Sequence, residues 1–354
     1  ATSEFKNSNY NLAYTYFKLK DYEQAGNYFQ NQIDKAPADK VRLNDSYLRL
    51  ADCRFVTSKY APAMDAYTKV IESKSVDADY AYFQKAICYG FMSKNDKKIE
   101  ELNAFLQTYL KSEYRDDALF ELANTYVAVN KNDLAVKTYD RLNTEFKKGS
   151  FTSRAILRQG LVYYNTDKDD QALLKFKKVA AEFPRTPEAL EAVATARLIY
   201  VDNGRVEEYA TWVRTLDFVA VTDAELDNDT YEAAEKQYQQ NNTKQAITGF
   251  NGYINQFPRG IHDLKANYYL GQLYYADGLE TKSIPNYEFV IAQSRSEFTE
   301  QSMSRLAQIF LKNKDYDKAI PVLSRLENEA DVAQNKTFAQ ANLMKAYYDK
   351  KDFP

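Results

Sequence analysis

Few side chains in this sequence are suited to chemistry. There is one histidine, His262, just after Pro258-Arg259-Gly260. Nucleophile–histidine catalysis would have to run through it alone, with no motif to orient it, so it reads as a surface or capping residue at a turn. The two cysteines, Cys53 and Cys88, form neither a disulfide framework nor a metal-spacing motif. They read as small buried packing residues, the alternative being a bridge with Cα atoms within about 7 Å. Their redox compartment does not follow from the pair. Asp227-Asn228-Asp229 and Asp167-Lys168-Asp169-Asp170 offer oxygen ligands but lack the central glycine and closing glutamate of a calcium loop. Gly149 and Gly278 are isolated turn residues, not a phosphate-cradling loop. No cofactor and no metal is implied, and the sequence points to a protein that is not an enzyme.

Bulk properties narrow the partners. The 354 residues carry 47 basic and 50 acidic side chains, interspersed, for a net charge of −3. Without a basic stripe there is no phosphate-binding footprint, so nucleic acid is not an expected partner. No apolar run approaches the roughly 18–20 residues that span a bilayer. Residues 1–9 lack an initiator methionine and the apolar core of a signal peptide, and Lys350 to Pro354 stop inside a repeating unit. The expectation is a piece of a longer protein.

The elements that must position everything else are clearest between Gln159 and Pro184, which read as two short amphipathic helices and a turn. Gly160 is the small residue where the helices touch, and Tyr163 fills the space beside it. Asn165-Thr166-Asp167 is turn chemistry, because these side chains bond nearby backbone. Ala172, Phe176 and Val179 share one face of the second helix, and Pro184 ends it. The small residue recurs at Ala13, Ala51, Ala86, Ala123, Gly160, Ala196, Ala234, Gly271 and Ala307, with Met344 the tenth equivalent. Successive spacings are 38, 35, 37, 37, 36, 38, 37, 36 and 37 residues.

Twelve places after the small residue stands Ala25, Ala63, Ala135, Ala172, Ala246 or Ala319, with Lys98, Glu208 and Ser283 as exceptions. Four further on is a large residue: Phe29, Tyr67, Leu102, Tyr139, Phe176, Trp212, Phe250, Tyr287 or Leu323. The first unit runs from about 6 to 43 and includes Pro37, and the second begins near 44. At Lys98 the aliphatic stem is expected along the helix contact with its amine in water. Thr186-Pro187-Glu188 reads as an N-cap, a first-turn proline and a first-turn acid. The sixth unit is the most degenerate. Residues 216–228, an apolar patch and then an acidic stretch, are expected to form a bend or a helix extension. Hence two expected sub-arrays, 1–222 with repeats 1–6 and 223–354 with repeats 7–9 and a lone helix.

The pattern small–x2–aromatic, Ala–x3–aromatic, Pro resembles that of tetratricopeptide repeat proteins. The resemblance implies an all-α fold, a right-handed α-solenoid of about nine helix-turn-helix repeats plus a terminal helix, and a role in binding proteins. The period near 37 and the endings Phe183-Pro184 and Phe257-Pro258 are similar to longer repeats of Gram-negative envelope proteins. That implies a periplasmic or outer-membrane-associated address and a part in envelope assembly, with a cytoplasmic address left open.

In the family, the residues three before, one after and four after the small residue face an inner groove. Carried over, the groove takes Tyr231, Tyr268, Phe83 and Phe120 from the first place and Phe17, Phe55, Tyr164, Tyr200, Tyr238 and Tyr275 from the last. These rings serve either as scaffold packing or as a ligand stripe, since tyrosine offers rigid apolar area with a polar tip. A clamp for a peptide's terminal carboxylate is not expected: Asn124 fits one such site, but Phe120 stands where its lysine belongs. The expected function is a non-catalytic scaffold holding a protein or extended peptide. The alternative is an envelope module binding glycan on the same tyrosines.

Overall fold

The computed structural model describes residues 3–35, 39–147 and 149–350, with side chains from residue 8 onward. Pro37 and the last four residues lie outside them. The described residues form nineteen helices and no strand. They pair as hairpins: α1 (Ser3–Lys18) with α2 (Tyr22–Lys35), α3 (Lys40–Val56) with α4 (Tyr60–Glu72), α5 (Ala78–Phe91) with α6 (Asn95–Thr108). Next come α7 (Arg115–Ala128) with α8 (Asn132–Glu145), α9 (Thr152–Tyr164) with α10 (Asp169–Glu182), and α11 (Pro187–Asp202) with α12 (Val206–Val213). The last are α13 (Asp223–Gln239) with α14 (Thr243–Gln256), α15 (Asp263–Ala276) with α16 (Glu280–Ala292), α17 (Thr299–Lys312) with α18 (Tyr316–Glu329), and α19 (Ala333–Lys350) alone. The fold is an all-α solenoid of helix-turn-helix repeats.

Two compact units can be distinguished, Ala1–Ala192 and Val193–Pro354. The joint expected at 222/223 falls inside the second. Of residues 216–228, the acidic half is the start of α13, held by a reciprocal cap: Thr222 accepts from the Glu225 amide, and the Glu225 carboxylate accepts from that of Thr222. The apolar half is irregular, with Leu216, Phe218, Val219 and Val221 half-buried. The second hairpin starts earlier than expected, at Lys40, because Asp39 caps α3 by accepting from the Arg42 amide. Thr186 caps α11 as expected, accepting from the Ala189 amide.

Each helix covers its neighbours through the small residue. Eight of the recurring positions are sealed at 2% exposure or less or buried as glycine within their helices, as is Ala196. At Gly160 the reason is steric: an added Cβ would stand 2.6 Å from Cε1 of Phe176, itself fully buried. Sealing such a ring contributes about 1.5–3 kcal/mol. Met344, at the tenth place, is 77% exposed. That place faces a hairpin's own second helix, and α19 has none among the described residues. It buries Ala339, Leu343 and Ala346 instead.

Each complete hairpin turn carries one residue of positive φ. It stands seven places after the small residue at Lys20, Ser58, Ser93, Asn130, Asp167, Asn241, Gly278 and Lys314. In the sixth hairpin it is Gly204, eight places after Ala196. That extra residue moves α12 forward by one. Tyr209 and Val213 are buried where Glu208 and Trp212 were expected, Trp212 is half-buried, and Glu208 pairs with Arg205 at 2.8 Å.

Candidate functional site

The ten rings expected along the groove divide by burial. In the first unit, Phe17, Phe55, Phe120 and Tyr164 are half-buried on first helices of their hairpins, while Phe83 is sealed at 7% exposure between Phe105 and Tyr114. In the second unit, Tyr238, Tyr268 and Tyr275 are half-buried. Tyr200, fully buried beside Tyr209, and Tyr231, 2% exposed under the His262 ring at 4.1 Å, belong to the core. Tyr200 and Tyr231 offer a partner no open face, because they fill the space between helices, and Phe83 keeps only 7% exposure.

Six of the half-buried rings, all but Tyr164, are held by the neighbours that follow. Phe17 meets Tyr22 edge-on at 5.5 Å, and Phe120 stacks on Phe151 at 4.9 Å. Tyr238 lies 4.8 Å from Tyr269, and Tyr268 stacks on Phe298 at 4.5 Å while donating to Gln301 Oε1 at 2.8 Å. Tyr275 donates to Gln308 Oε1 at 3.0 Å, and the Arg305 guanidinium stands 4.4 Å from its ring centre. Phe55 touches Phe91 at 5.3 Å, and Phe91 stacks on Tyr60 at 5.0 Å although 59% exposed.

A polar network in the first three hairpins was not foreseen. Tyr10 and Tyr14 donate to Asp45 at 2.6 and 2.7 Å. Arg49 pairs with Asp52 at 2.9 Å, and Tyr67 and Tyr80 donate to the same carboxylate at 2.8 and 3.1 Å. Burial holds the Asp52 carboxyl above the usual range, against the Tyr67 hydroxyl and Arg49. A partial signal existed: for the core tyrosines Tyr67 and Tyr139 the residue after the small one is Asp52 or Asn124 and accepts that hydroxyl, whereas Tyr287, with Gln272 in that place, has no such acceptor.

Lys98 departs from expectation. Its stem does lie on the helix contact, with Cδ 3.0 Å from where a Gly90 Cβ would stand. Its amine is not in water. Nζ reaches Glu121 Oε2 of α7 at 2.6 Å, and the residue is 9% exposed. Beside this pair is a cavity of about 460 Å³, walled by Phe83, Ile87 and Phe91 and reached by Asp117.

Cys53 and Cys88 are free and buried, and burial pushes each thiol up to about 12. His262 precedes α15, but its ring does not cap the helix; Nε2 lies 2.9 Å from Asn228 Oδ1. Among the described residues no group of three or more potential ligands could hold a metal ion, and no helix is long and apolar enough to cross a membrane.

Two stretches, residues 7–39 and 154–186, match the tetratricopeptide repeat family. No curated protein matches the chain. Among solved structures it is similar to a tetratricopeptide repeat protein from Parabacteroides merdae, at 14% identity over 72% of this chain and 94% of that one, with a TM-score of 0.46. It is also similar to the C-terminal part of a repeat-containing protein from Cytophaga hutchinsonii, at 17% identity over 73% and 99%, TM-score 0.40. A third is the MamA protein, at 17% identity over 56% and 94%, TM-score 0.40.

Proposed function

We propose that this tetratricopeptide repeat chain, matched to the family over residues 7–39 and 154–186, is a non-catalytic scaffold whose first-helix face holds a protein or an extended peptide. Tetratricopeptide repeats mediate protein–protein interaction. The observation that carries the finer reading is the set of half-buried rings left on first helices once Phe83, Tyr200 and Tyr231 are assigned to the core. Phe17, Phe55, Phe120, Tyr238, Tyr268 and Tyr275 are already held by a stack, a ring contact or a hydrogen bond, so little side-chain freedom is lost when a partner covers them.

The same reading extends to an envelope address, periplasmic or outer-membrane-associated. Its support is the 37-residue period and the Phe-Pro endings of two repeats.

The test places a photoreactive residue at Tyr164, and separately at Tyr238, in native extract. Any crosslinked protein is then purified and titrated against the chain. A groove partner loses about 2 kcal/mol of binding with Tyr164→Ala or Tyr275→Ala, the scale of an interface hot spot, while thermal stability is retained. Unchanged affinity in both variants removes the groove from the reading. Retention on peptidoglycan gels without any protein crosslink turns it toward a glycan.

A further inference from the structure

The third hairpin breaks the repeat twice, and the two breaks are one packing event. Four places after the small residue the other complete hairpins carry Phe17, Phe55, Val127, Tyr164, Tyr200, Tyr238, Tyr275 or Leu311; here stands Gly90. On the second helix, Lys98 replaces the usual alanine, lays its stem over Gly90 and joins Glu121. A large apolar side chain has been exchanged for a part-buried ion pair, and a cavity of about 460 Å³ opens beside it.

The lining of that cavity has a definite chemistry. Phe83 and Ile87 form apolar wall, and Phe91 is braced from behind by Tyr60, with which it stacks at 5.0 Å. Of three charged side chains, Lys98 and Glu121 neutralise each other at 2.6 Å. Asp117 remains, half-buried and without an ion pair among the described residues. Its carboxyl is pushed above the usual carboxylate range by burial, then by the neighbouring Asp116 and by Glu121. A negative charge held in a partly dry, aromatic-walled space is relieved by a cation that brings its own apolar stem.

Resting on the scaffold reading, we propose that this cavity receives one arginine or lysine side chain of the partner, its stem along Phe91 and Ile87 and its charge against Asp117. An acidic side chain would meet an uncompensated carboxylate. A purely apolar one would bury Asp117 without a counter-charge.

The experiment follows the Gly90 amide signal of the whole chain in nitrogen-15 spectra during titration with capped tripeptides Gly-X-Gly. X is arginine, lysine, citrulline (the neutral analogue of arginine), leucine or glutamate. Saturable shifts are expected for arginine and lysine, with citrulline weaker by about tenfold, as for losing a charged hydrogen bond. Asp117→Asn should weaken the arginine peptide by a similar factor. Gly90→Phe, which restores the ring, should abolish binding. If that variant misfolds, the near-isosteric Asp117→Asn change at a half-buried position still decides. Equal affinity for citrulline or leucine, preference for glutamate, no saturable shift with arginine or lysine, or indifference to Asp117→Asn would each overturn the proposal. A protein crosslinked at Tyr164 whose affinity ignores Asp117→Asn removes only the cavity. Arginine-peptide binding without any groove partner removes only the scaffold.

Discussion

The hairpins α9–α10 and α5–α6 solve one problem in opposite ways. Both must close the contact between two helices on a residue of the first. In α9–α10, Gly160 gives up its side chain so that the buried Phe176 ring can lie on bare backbone. In α5–α6, the glycine is one turn further on, at Gly90, and what lies on it is the flexible stem of Lys98. The first solution closes on an apolar ring. The second ends in an ion pair and leaves an open space with one carboxylate unpaired. Closing a helix contact with a long charged side chain thus leaves room and charge where an apolar ring leaves neither.

Substitutions can break or sharpen that contrast. The largest effect is expected for Phe176→Ala, which empties a fully buried site and should cost about 3–5 kcal/mol in urea unfolding; a loss below 1 would mean that the ring is not the keystone of its hairpin. Overpacking the same contact comes next. Ala172→Phe, at a fully buried position, and Gly160→Ala, facing the ring at 2.6 Å, should each cost about 1–3 kcal/mol. Gly90→Ala is the paired control. Its new methyl meets Lys98 Cδ at 3.0 Å, a side chain that can yield, and helix propensity favours alanine by about 0.5–1 kcal/mol. A net change within about 0.5 kcal/mol is expected. Equal losses at the two glycines would erase the distinction.

The smallest effect is a pH slope. Asp117 has a raised folded-state pKa, so on falling pH the native chain takes up its proton before the unfolded chain does. Stability therefore falls as pH rises from the ordinary aspartate range, about 3.9, through the folded value, and the penalty persists above it. Asp117→Asn should gain urea midpoint relative to the parent between pH 4 and pH 7, values chosen to bracket that range. A parallel dependence in the two proteins would place the carboxyl in free solvent.

Much of the fold was legible in the sequence because helix geometry imposes it. A hairpin of two short helices fixes where the small residue and the buried ring stand, and the recurrence at Ala13 to Ala307 follows. What was not legible depends on residues far apart in sequence. The Lys98 amine was expected in water because Glu121, on the next hairpin, is not visible from α6. Phe83, Tyr200 and Tyr231 sit at groove positions by spacing, yet Tyr114, Tyr209 and His262 lie against them. The displaced Trp212 has a local cause, one extra turn residue at Gly204. The Asp52 network could have been read from its pairing with a core tyrosine rather than a phenylalanine.

The left-handed residue of each hairpin turn bears on how such a chain can change over generations. Lys20, Ser58, Ser93, Asn130, Asp167, Asn241 and Lys314 adopt one backbone state with four different side chains, all exposed. Neighbouring helices impose the turn, at a cost for non-glycine residues of roughly 1–2 kcal/mol each, so the residue there is free to drift within that tolerance. A lineage can rewrite these seven corners while the helix contacts stay untouched, and two descendants could differ at every turn and still keep the same half-buried rings on the same helices.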